Sequence, residues 1–423
     1  MSWVLLGSFF ALSLVGVPLA ISLGLATTLT FLLFDLPLSL LAQRMYSSMN
    51  SFLLVAVPLF ILAGNVMGGG GISDRIFFAA NSVVGRWRGG LGQVNIIASM
   101  IFGGISGSSV ADVSGLGPLE IKAMEERRYP KPYAAALTMV TSTLASVVPP
   151  SILMIIAATA AGQSVGATLA GGLGPAVLVA TLFMILNYYL AVRRQYGEVL
   201  AMGLRDAVWN LLVAVPALGA PVIIMGGIFA GIMTPTEAAG MAVLYALAVG
   251  ALIYRQVKWR ELPRMIIDTG ITTGTILFIA MCASVATYVF TVDGLPIKVS
   301  NIILSLSEDP FTVILLMGVV FVIIGMFMDI IAAILILTPV LMPTALTVGI
   351  NPIHFVVFMV TALAVGLSTP PVGICLFATS QVSNLSVERI VQAAVPFYLA
   401  MIAALGLLAF FPDIILFPVQ LFM

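Results

Sequence analysis

Residues 144–151 read LASVVPPS and residues 365–373 read VGLSTPPVG, two apolar stretches that each contain a double proline. A double proline removes two backbone donors and clashes with the preceding turn, so it cannot lie inside a regular helix. The residue before it is also pushed towards an extended conformation. Each stretch therefore predicts an apolar helix that is broken near its middle, with carbonyl oxygens released from the helical hydrogen-bond pattern.

The composition around these stretches is that of a polytopic helical membrane protein. The chain has 423 residues, of which 61% are hydrophobic and 8% are charged, whereas a soluble domain carries about 25% charged residues. This composition excludes a soluble enzyme, a nucleic-acid-binding protein and a disordered chain. We predict a single integral membrane domain over residues 1–423, embedded in the lipid bilayer and without a nucleic-acid partner.

Fourteen of the seventeen basic residues fall into four groups, which the positive-inside rule places in the cytoplasm. Residues 132–192 and 206–254 lack Lys and Arg, and each stretch fits two membrane crossings. Residues 299–388 also lack Lys and Arg but are too long for one helix pair, which predicts that part of the second half is inverted relative to the first. The four groups are Arg75, Arg86 and Arg88; Lys122, Arg127, Arg128 and Lys131; Arg193, Arg194 and Arg205; and Arg255, Lys258, Arg260 and Arg264.

An internal repeat agrees with that inversion. At an offset of 221 positions, Pro118 falls on Pro339 and the first double proline falls on the second, without a gap. The strongly basic segment EERRYPKP (125–132) falls on the uncharged LTVGINPI (346–353). Inverted-topology repeats of secondary transporters have this character, a shared skeleton with opposite charge bias. The alternative is a chance alignment of prolines in a proline-rich membrane protein.

Two further segments, residues 90–124 and 311–345, are long for one crossing and are interrupted in the middle. The interruptions read GGISGSSVADVSG (103–115) and GMFMDIIAA (325–333). We predict a re-entrant helical hairpin in each segment, because irregular backbone at membrane depth is tolerated where it is buried in protein or lines a cavity. Two hairpins facing two broken helices form a transporter's midplane site, with oxygen ligands for a cation and helix N-termini for a carboxylate.

At these residues the chain resembles the large membrane subunit of tripartite ATP-independent periplasmic (TRAP) transporters, the DctM-like family of the ion-transporter superfamily. The resemblance runs from the first helix to the last. Its motifs are GGISGSSVAD (103–112), VVPPS (147–151), GIMTPTEAA (231–239) and VGLSTPPVG (365–373). The resemblance implies an all-α, inverted-repeat transporter with two hairpins and two broken helices in a transport domain that moves by an elevator mechanism against a scaffold.

The resemblance also implies a function and partners. The function is sodium-coupled import of an organic acid, such as a C4-dicarboxylate, a sialic acid, another sugar acid or a keto acid. A periplasmic binding protein would deliver the substrate, and a smaller membrane subunit of about four helices would be a separate chain. The expected location is the inner membrane of a bacterium or archaeon, with the basic loops in the cytoplasm.

On this basis we divide the chain into segments. We expect residues 1–89 to form scaffold helices and an arm, and residues 90–165 to form the first hairpin and broken helix. Residues 166–310 would form the connecting helix and the second scaffold part. The second hairpin and broken helix would occupy residues 311–386, and a terminal helix would occupy residues 387–423.

The family's sodium ligands come from the hairpin tips and the broken helices, which implies two or more Na⁺ ions here. Most of the matching positions would bind through backbone oxygen. Ala145 stands where the repeat has Gly366, which makes unwinding at the first site less assured. The implied ligands are Ser106, Ser109, Ala145, Val148 and Pro150 for one ion, and Gly325, Gly366, Thr369 and Val372 for the other.

Three polar residues are candidates for the substrate site. Asp112 and Asp329 are carboxylates at membrane depth, where charged groups are usually functional. Asp112 could instead cap a half-helix. Ser108 could contact substrate or bond only to backbone. In contrast, Glu237 in the TPTE motif is expected to stabilise a helix start.

Three other functions compete with this interpretation. The nearest is a stand-alone sodium- or proton-coupled anion permease or antiporter of the same superfamily, which would need neither binding protein nor small subunit. An ion channel would need a continuous pore with a filter ring, which the two asymmetric hairpins fit poorly. An intramembrane enzyme would need a catalytic pair, and neither Asp112 nor Asp329 lies in a protease motif. We therefore predict that the protein is not an enzyme.

Overall fold

The computed structural model describes residues 1–50, 52–197 and 203–423, and the regular structure of these ranges is helical. The α-helices of the described ranges are α1 (Ser2–Leu14), α2 (Leu19–Leu33), α3 (Leu38–Met49), α4 (Ala56–Gly69), α5 (Ile72–Val84), α6 (Gly90–Ser106), α7 (Ser109–Gly115), α8 (Gly117–Glu126), α9 (Lys131–Ser142), α10 (Ile152–Ala160), α11 (Val165–Arg194), α12 (Leu204–Phe229), α13 (Pro235–Leu247), α14 (Leu262–Val292), α15 (Leu295–Leu306), α16 (Pro310–Phe327), α17 (Ile330–Thr347), α18 (Pro352–Leu367), α19 (Ile374–Ser383), α20 (Val387–Phe410) and α21 (Asp413–Phe422). Short 3₁₀ helices cover Phe52–Val55 and Thr143–Ser146, and a π-helical turn, Ala248–Ile253, extends α13.

These helices confirm a multi-pass membrane protein. Within the described ranges, seven helices are long and apolar enough to cross a bilayer, or eight if the bent pair α4–α5 counts as one span. Helix α11 begins after a turn at residues 161–164, and α12 and α13 are joined by a turn at residues 230–234. Both turns lie where the basic-residue pattern predicted them, inside the two stretches without Lys or Arg.

The second of these turns also shows what Glu237 does. The Thr234 hydroxyl accepts a hydrogen bond from the backbone N–H of Glu237, and the Glu237 carboxylate accepts one from the backbone N–H of Thr234 at 2.8 Å. This reciprocal pair is a capping box, which satisfies donors at the helix start. Glu237 therefore has the structural role expected from the sequence.

The helix boundaries repeat at the offset of 221 that the prolines indicate. Adding 221 to residues 109 and 126, the outer bounds of α7 and α8, gives 330 and 347, the bounds of α17. The same offset carries residues 131–146, which form α9 and its 3₁₀ extension, onto the bounds of α18. Because four independent boundaries agree, the repeat is a property of the backbone and extends beyond the matching prolines.

In each half, a glycine with positive φ precedes the helix that comes just before the hairpin. The axis turns by 73° between α4 and α5, at Gly71, whose φ is +67°. In the second half, α15 starts after Gly294, whose φ is +69°. Glycine adopts this left-handed conformation without a steric penalty. Helix α5 is held at its start, where the Arg75 guanidinium lies 3.9 Å from the centre of the Tyr254 ring.

The helices of the two hairpins and two broken helices pack together, and helices α4 and α14 lie beside them. Helix α6 packs against α9, and α16 packs against α18. Each hairpin thus lies along the broken helix that follows it in the chain. Helix α14 contacts α17, while α4 contacts α6. Helices α4 and α14 therefore touch the two hairpins, and the space between these helices and the hairpin tips forms the candidate site.

Candidate functional site

The tip of the first hairpin is short and is built by three consecutive residues. Helix α6 ends at Ser106, Gly107 takes a φ of +60°, and Ser108 starts α7 as its N-cap. The Ser108 hydroxyl accepts a hydrogen bond from the backbone N–H of Ala111 at 3.3 Å. The prediction of an unwound stretch over residues 103–115 was too wide, because only residues 107 and 108 leave the helix at the tip. The glycines at 103 and 104 serve close packing instead.

The tip of the second hairpin has the same form with a different capping residue. Helix α16 ends at Phe327, Met328 is extended, and Asp329 is the N-cap of α17. One Asp329 carboxylate oxygen accepts hydrogen bonds from the backbone N–H groups of Ile331 at 2.9 Å and Ala332 at 3.4 Å. Asp329 occupies the position that Ser108 occupies in the first repeat. It thus has a capping role, and its side chain also reaches the cavity described below.

The first hairpin lies almost in backbone contact with the first broken helix. A Cβ added to Gly103 would lie 2.5 Å from the Cα of Ala145, and one added to Gly104 would lie 2.9 Å from the carbonyl oxygen of Pro149. At the tip, the Ser109 and Ser146 hydroxyls are 2.6 Å apart. The predicted ligands Ser106, Ser109, Ala145, Val148 and Pro150 therefore belong to segments that meet, and all five are buried.

The second hairpin approaches its broken helix as closely. A Cβ added to Gly325 would lie 2.5 Å from the carbonyl oxygen of Leu363, and one added to Gly366 would lie 2.6 Å from the carbonyl carbon of Gly325. The backbone N–H of Gly373 donates to the carbonyl oxygen of Met326 at 3.0 Å. The Thr369 hydroxyl donates back to the carbonyl oxygen of Val365 at 2.7 Å.

The two breaks differ in exposure. Residues 147–151 are all buried, whereas Thr369 and Pro370 are half-buried and Pro371 and Val372 are exposed. The predicted ligands Gly325, Gly366, Thr369 and Val372 again come from segments that meet. In both repeats the peptide bond between the two prolines is cis.

A cavity of about 1060 Å³ joins the two tips to the scaffold. Its charged lining residues within the described ranges are Asp329, at the second tip, and Asp74, on the arm helix α5. The scaffold contributes Asn65 and one face of α14 around Thr275. The predicted site residues that line it are Ser106, Ser108, Ser109 and Asp329.

Asp112 lies elsewhere. It is fully buried inside the first hairpin, on α7, and it is not among the residues that line the cavity. The alternative role considered for Asp112 was to cap a half-helix. The N-cap of α7 is Ser108 instead. The sequence analysis missed its neighbour Glu120, which is fully buried as well. Glu120 precedes the basic group at Lys122, and it therefore resembled a residue of a solvated loop.

The fold and this site define a secondary membrane transporter with a repeated hairpin and broken helix. Residues 6–414 match the family model described as "Tripartite ATP-independent periplasmic transporter, DctM component". The chain therefore belongs to the DctM family of TRAP transporter large permeases, as the sequence motifs indicated.

Named relatives cover most of the chain. It is 34% identical over 420 residues to the sialic acid TRAP transporter large permease protein SiaM of Vibrio cholerae, covering 99% of this chain and 97% of SiaM. It is 35% identical over 402 residues to the C4-dicarboxylate large permease DctM of Pseudomonas aeruginosa, covering 93% and 92%. The isethionate permease DctMQ of Oleidesulfovibrio alaskensis is 36% identical over 419 residues, and the chain spans 66% of its length.

A solved structure supports the fold alone. The crystal structure of the Alcanivorax borkumensis YdaH transporter, described as having an unusual topology, matches with a TM-score of 0.61 and 16% sequence identity. The match covers 89% of each chain. Its helical arrangement therefore extends over nearly the whole protein.

Proposed function

We propose that this protein is the large permease of a TRAP transporter that imports an organic acid into the cytoplasm together with Na⁺. The observation that carries the proposal is that both hairpin tips line one cavity, together with residues that flank the two double-proline breaks: Ser146 and Ile152 at the first, and Leu367 and Ile374 at the second. The related permeases are named for sialic acid, C4-dicarboxylate and isethionate, which are all organic anions. The substrate class assigned here is therefore an organic acid.

Charge supports coupling to a cation. The charged side chains that the described ranges contribute to the cavity lining are Asp74 and Asp329, and both are acidic. An organic anion entering this cavity meets its positive partners in bound cations and in the N-terminal ends of helices, where backbone N–H groups point outward. The breaks release carbonyl oxygens from the helical hydrogen-bond pattern, and such oxygens are ligands that hard cations accept. Sodium binding at the tips would thus create the site for the anion.

Ligands for two sodium ions are assigned by the repeat. The first ion would bind at the first tip and break, and the second at the equivalent place in the other repeat. Binding of the ions and binding of the anion are then cooperative, and by linkage each strengthens the other to the same degree. The assigned ligands are Ser106, Ser109 and the carbonyl oxygens of Ala145, Val148 and Pro150, and then Gly325, Gly366, Thr369 and Val372.

The architecture supports an elevator motion. The hairpins and broken helices, residues 90–165 and 311–386, form the body that moves, and the remaining helices form the scaffold. The cavity extends from the tips along α7 to Asp74 on the arm helix. Asp74 is next to Arg75 of the first basic group, which the charge rule assigns to the cytoplasm. We accordingly assign the conformation as open to the cytoplasm. A separate small membrane subunit and a periplasmic binding protein would complete the transporter in the inner membrane.

A melting experiment tests sodium binding without a known substrate. The purified protein, co-expressed with its small subunit, is heated in NaCl and in equal concentrations of KCl. A ligand that binds the folded state raises the melting temperature by mass action, so we expect a saturable rise in Na⁺ that K⁺ does not reproduce. Equal melting curves in the two salts would refute sodium coupling. Thr369→Ala, which removes a predicted side-chain ligand, should shift the rise to higher Na⁺ concentration.

A further inference from the structure

A second polar cluster lies inside the first hairpin, away from the tips and the cavity. It is built around the carboxyl groups of Asp112 on α7 and Glu120 on α8, both with 0% exposure. The charge of Asp112 is close enough to act on that of Glu120. Two ionised carboxylates in a buried site repel each other, and burial of an uncompensated charge is strongly unfavourable. The pair therefore needs either a bound proton or a bound cation.

Glu120 has part of that compensation. Its Oε2 atom accepts hydrogen bonds from the Asn95 side-chain amide at 2.7 Å and from the Thr138 hydroxyl at 3.3 Å. Its Oε1 atom is buried and has no hydrogen-bond partner among the described residues. Helices α6 and α9 thus hold Glu120 in place from two sides and leave one of its oxygens directed to something else.

Asp112 has no such compensation. Within the described part of the chain, neither of its carboxylate oxygens has a hydrogen-bond partner. The Ser99 hydroxyl faces it from α6, but that hydroxyl donates to the Thr141 hydroxyl at 3.3 Å. The Cys375 thiol faces it from α19. Buried polar groups are almost always hydrogen-bonded, so two free oxygens on one buried carboxylate indicate a missing ligand.

The donor set suits a small hard cation. The cluster contains three buried carboxylate oxygens without partners, on α7 and α8, and the hydroxyl oxygen of Ser99 on α6. Oxygen ligands of this kind bind Na⁺ and similar ions. We propose that Asp112 and Glu120 hold a Na⁺ ion inside the first hairpin, in addition to the ions at the two tips. The inference rests on the proposed function in taking the ion as Na⁺.

The position of this ion gives it a role in coupling. The site joins both limbs of the first hairpin to α9 of the first broken helix, through Asn95 and Thr138. An ion there would stabilise the packing of the hairpin against the helix whose break contributes to the tip site. Occupation of the buried site would therefore favour the arrangement that binds Na⁺ at the tip.

The test compares the number of Na⁺ ions linked to stability. The slope of stabilisation against the logarithm of Na⁺ concentration increases with the number of ions that the folded protein binds. In the co-expressed complex, Asp112→Asn and Glu120→Gln should each reduce this slope by about one ion relative to the wild type. Ser99→Ala should raise the Na⁺ concentration needed for half of the effect. Asp35→Asn, at an exposed residue with a φ of +52° that asparagine tolerates, is the matched control.

Each outcome decides the matter. A reduced slope in Asp112→Asn or Glu120→Gln with an unchanged slope in Asp35→Asn supports the site. Unchanged slopes in both variants overturn it and leave the tip sites standing. If one variant does not fold, the other decides. Melting at pH 6 and pH 8 separates a proton from Na⁺, because a pair that only shares a proton would give a pH-dependent melting temperature without a change in Na⁺ slope. A wild type that does not respond to Na⁺ would refute the proposed function itself.

Discussion

Replacement of Gly366 by alanine should separate the second hairpin from its broken helix. A Cβ at this position would lie 2.6 Å from the carbonyl oxygen of Val322 and from the carbonyl carbon of Gly325. Both neighbours are backbone atoms of α16, so no side chain can rotate away. Restoring a contact of 3.4 Å requires α16 and α18 to move apart by about 0.8 Å.

The energetic cost follows from this geometry. Overpacking a close contact costs about 1–3 kcal/mol, and the gain from replacing a helical glycine by alanine offsets about 0.5–1 kcal/mol of that. The midpoints of the two ranges leave a net loss of about 1 kcal/mol, which corresponds to a fall of a few degrees in melting temperature. Thr369 follows within one helical turn, so the displacement also reaches a predicted ligand, and the rise in melting temperature caused by Na⁺ should shrink.

The assay is thermal unfolding of the detergent-purified complex, in NaCl and in KCl. Gly406→Ala is the matched control, because a Cβ at Gly406 in α20 meets nothing within 4 Å. The control should melt at or slightly above the wild-type temperature and keep its response to Na⁺. The reasoning would be refuted if Gly366→Ala melted like the control in both salts, since the two hairpin elements would then not be in the contact that the structure shows.

Two further predictions concern the second tip and the orientation. Asp329→Ser should preserve the start of α17, because serine caps helices about as well as aspartate. It should abolish uptake in reconstituted vesicles, because it removes the carboxylate from the cavity. Retained uptake with normal melting would restrict Asp329 to its capping role. A single cysteine at Arg127 should react with an impermeant thiol reagent from the cytoplasmic side, and one at Gln163 from the periplasmic side. The native Cys282 and Cys375 are buried and should give little background labelling. Labelling of position 127 from the periplasmic side and of position 163 from the cytoplasmic side would invert the assigned orientation.

The sequence was sufficient to predict the broken helices and the repeat, because proline acts locally on the backbone. The two double prolines, the gap-free offset and the runs without basic residues are all visible in one chain. The predicted interruptions, residues 103–115 and 325–333, contain the observed hairpin tips at residues 107–108 and 328–329. What the prolines and glycines could not show is which helices pack together, since that depends on contacts between residues far apart in the chain.

Ala145 illustrates this difference. Because alanine stands at position 145 where the repeat has Gly366, the sequence made unwinding in the first repeat less assured. The structure has a 3₁₀ turn over Thr143–Ser146 and leaves helical geometry directly after it, so the proline pair governs the break. The glycines have another function. In the first repeat Gly103 makes room for Ala145, and in the second Gly325 and Gly366 face each other. In the first repeat the glycine lies on the hairpin helix α6, whereas in the second repeat glycines lie on both the hairpin helix α16 and the broken helix α18. Both arrangements allow the same close approach.

Glu120 shows a second limit. In the sequence it lies two residues before a lysine and close to further charged residues, a pattern typical of a solvated loop. Its burial depends on Asn95 and Thr138, which come from α6 and α9. Neither partner is close in sequence, and neither carries charge. A buried carboxylate whose partners are neutral and distant leaves no local signal, so the site around Asp112 becomes visible only in three dimensions.

The comparison of the two tips explains how a repeat can be structurally symmetric and functionally unequal. Ser108 and Asp329 occupy equivalent positions, and each accepts hydrogen bonds from the first turn of the helix that follows. The shared requirement is a capping oxygen, which serine and aspartate both supply. The charge is not part of that requirement, because serine meets it without one. The negative charge of Asp329 is therefore free to act on ions and substrate in the cavity. Under the proposed mechanism it would attract Na⁺ at the second tip, and it would direct the substrate's own carboxylate towards the first tip.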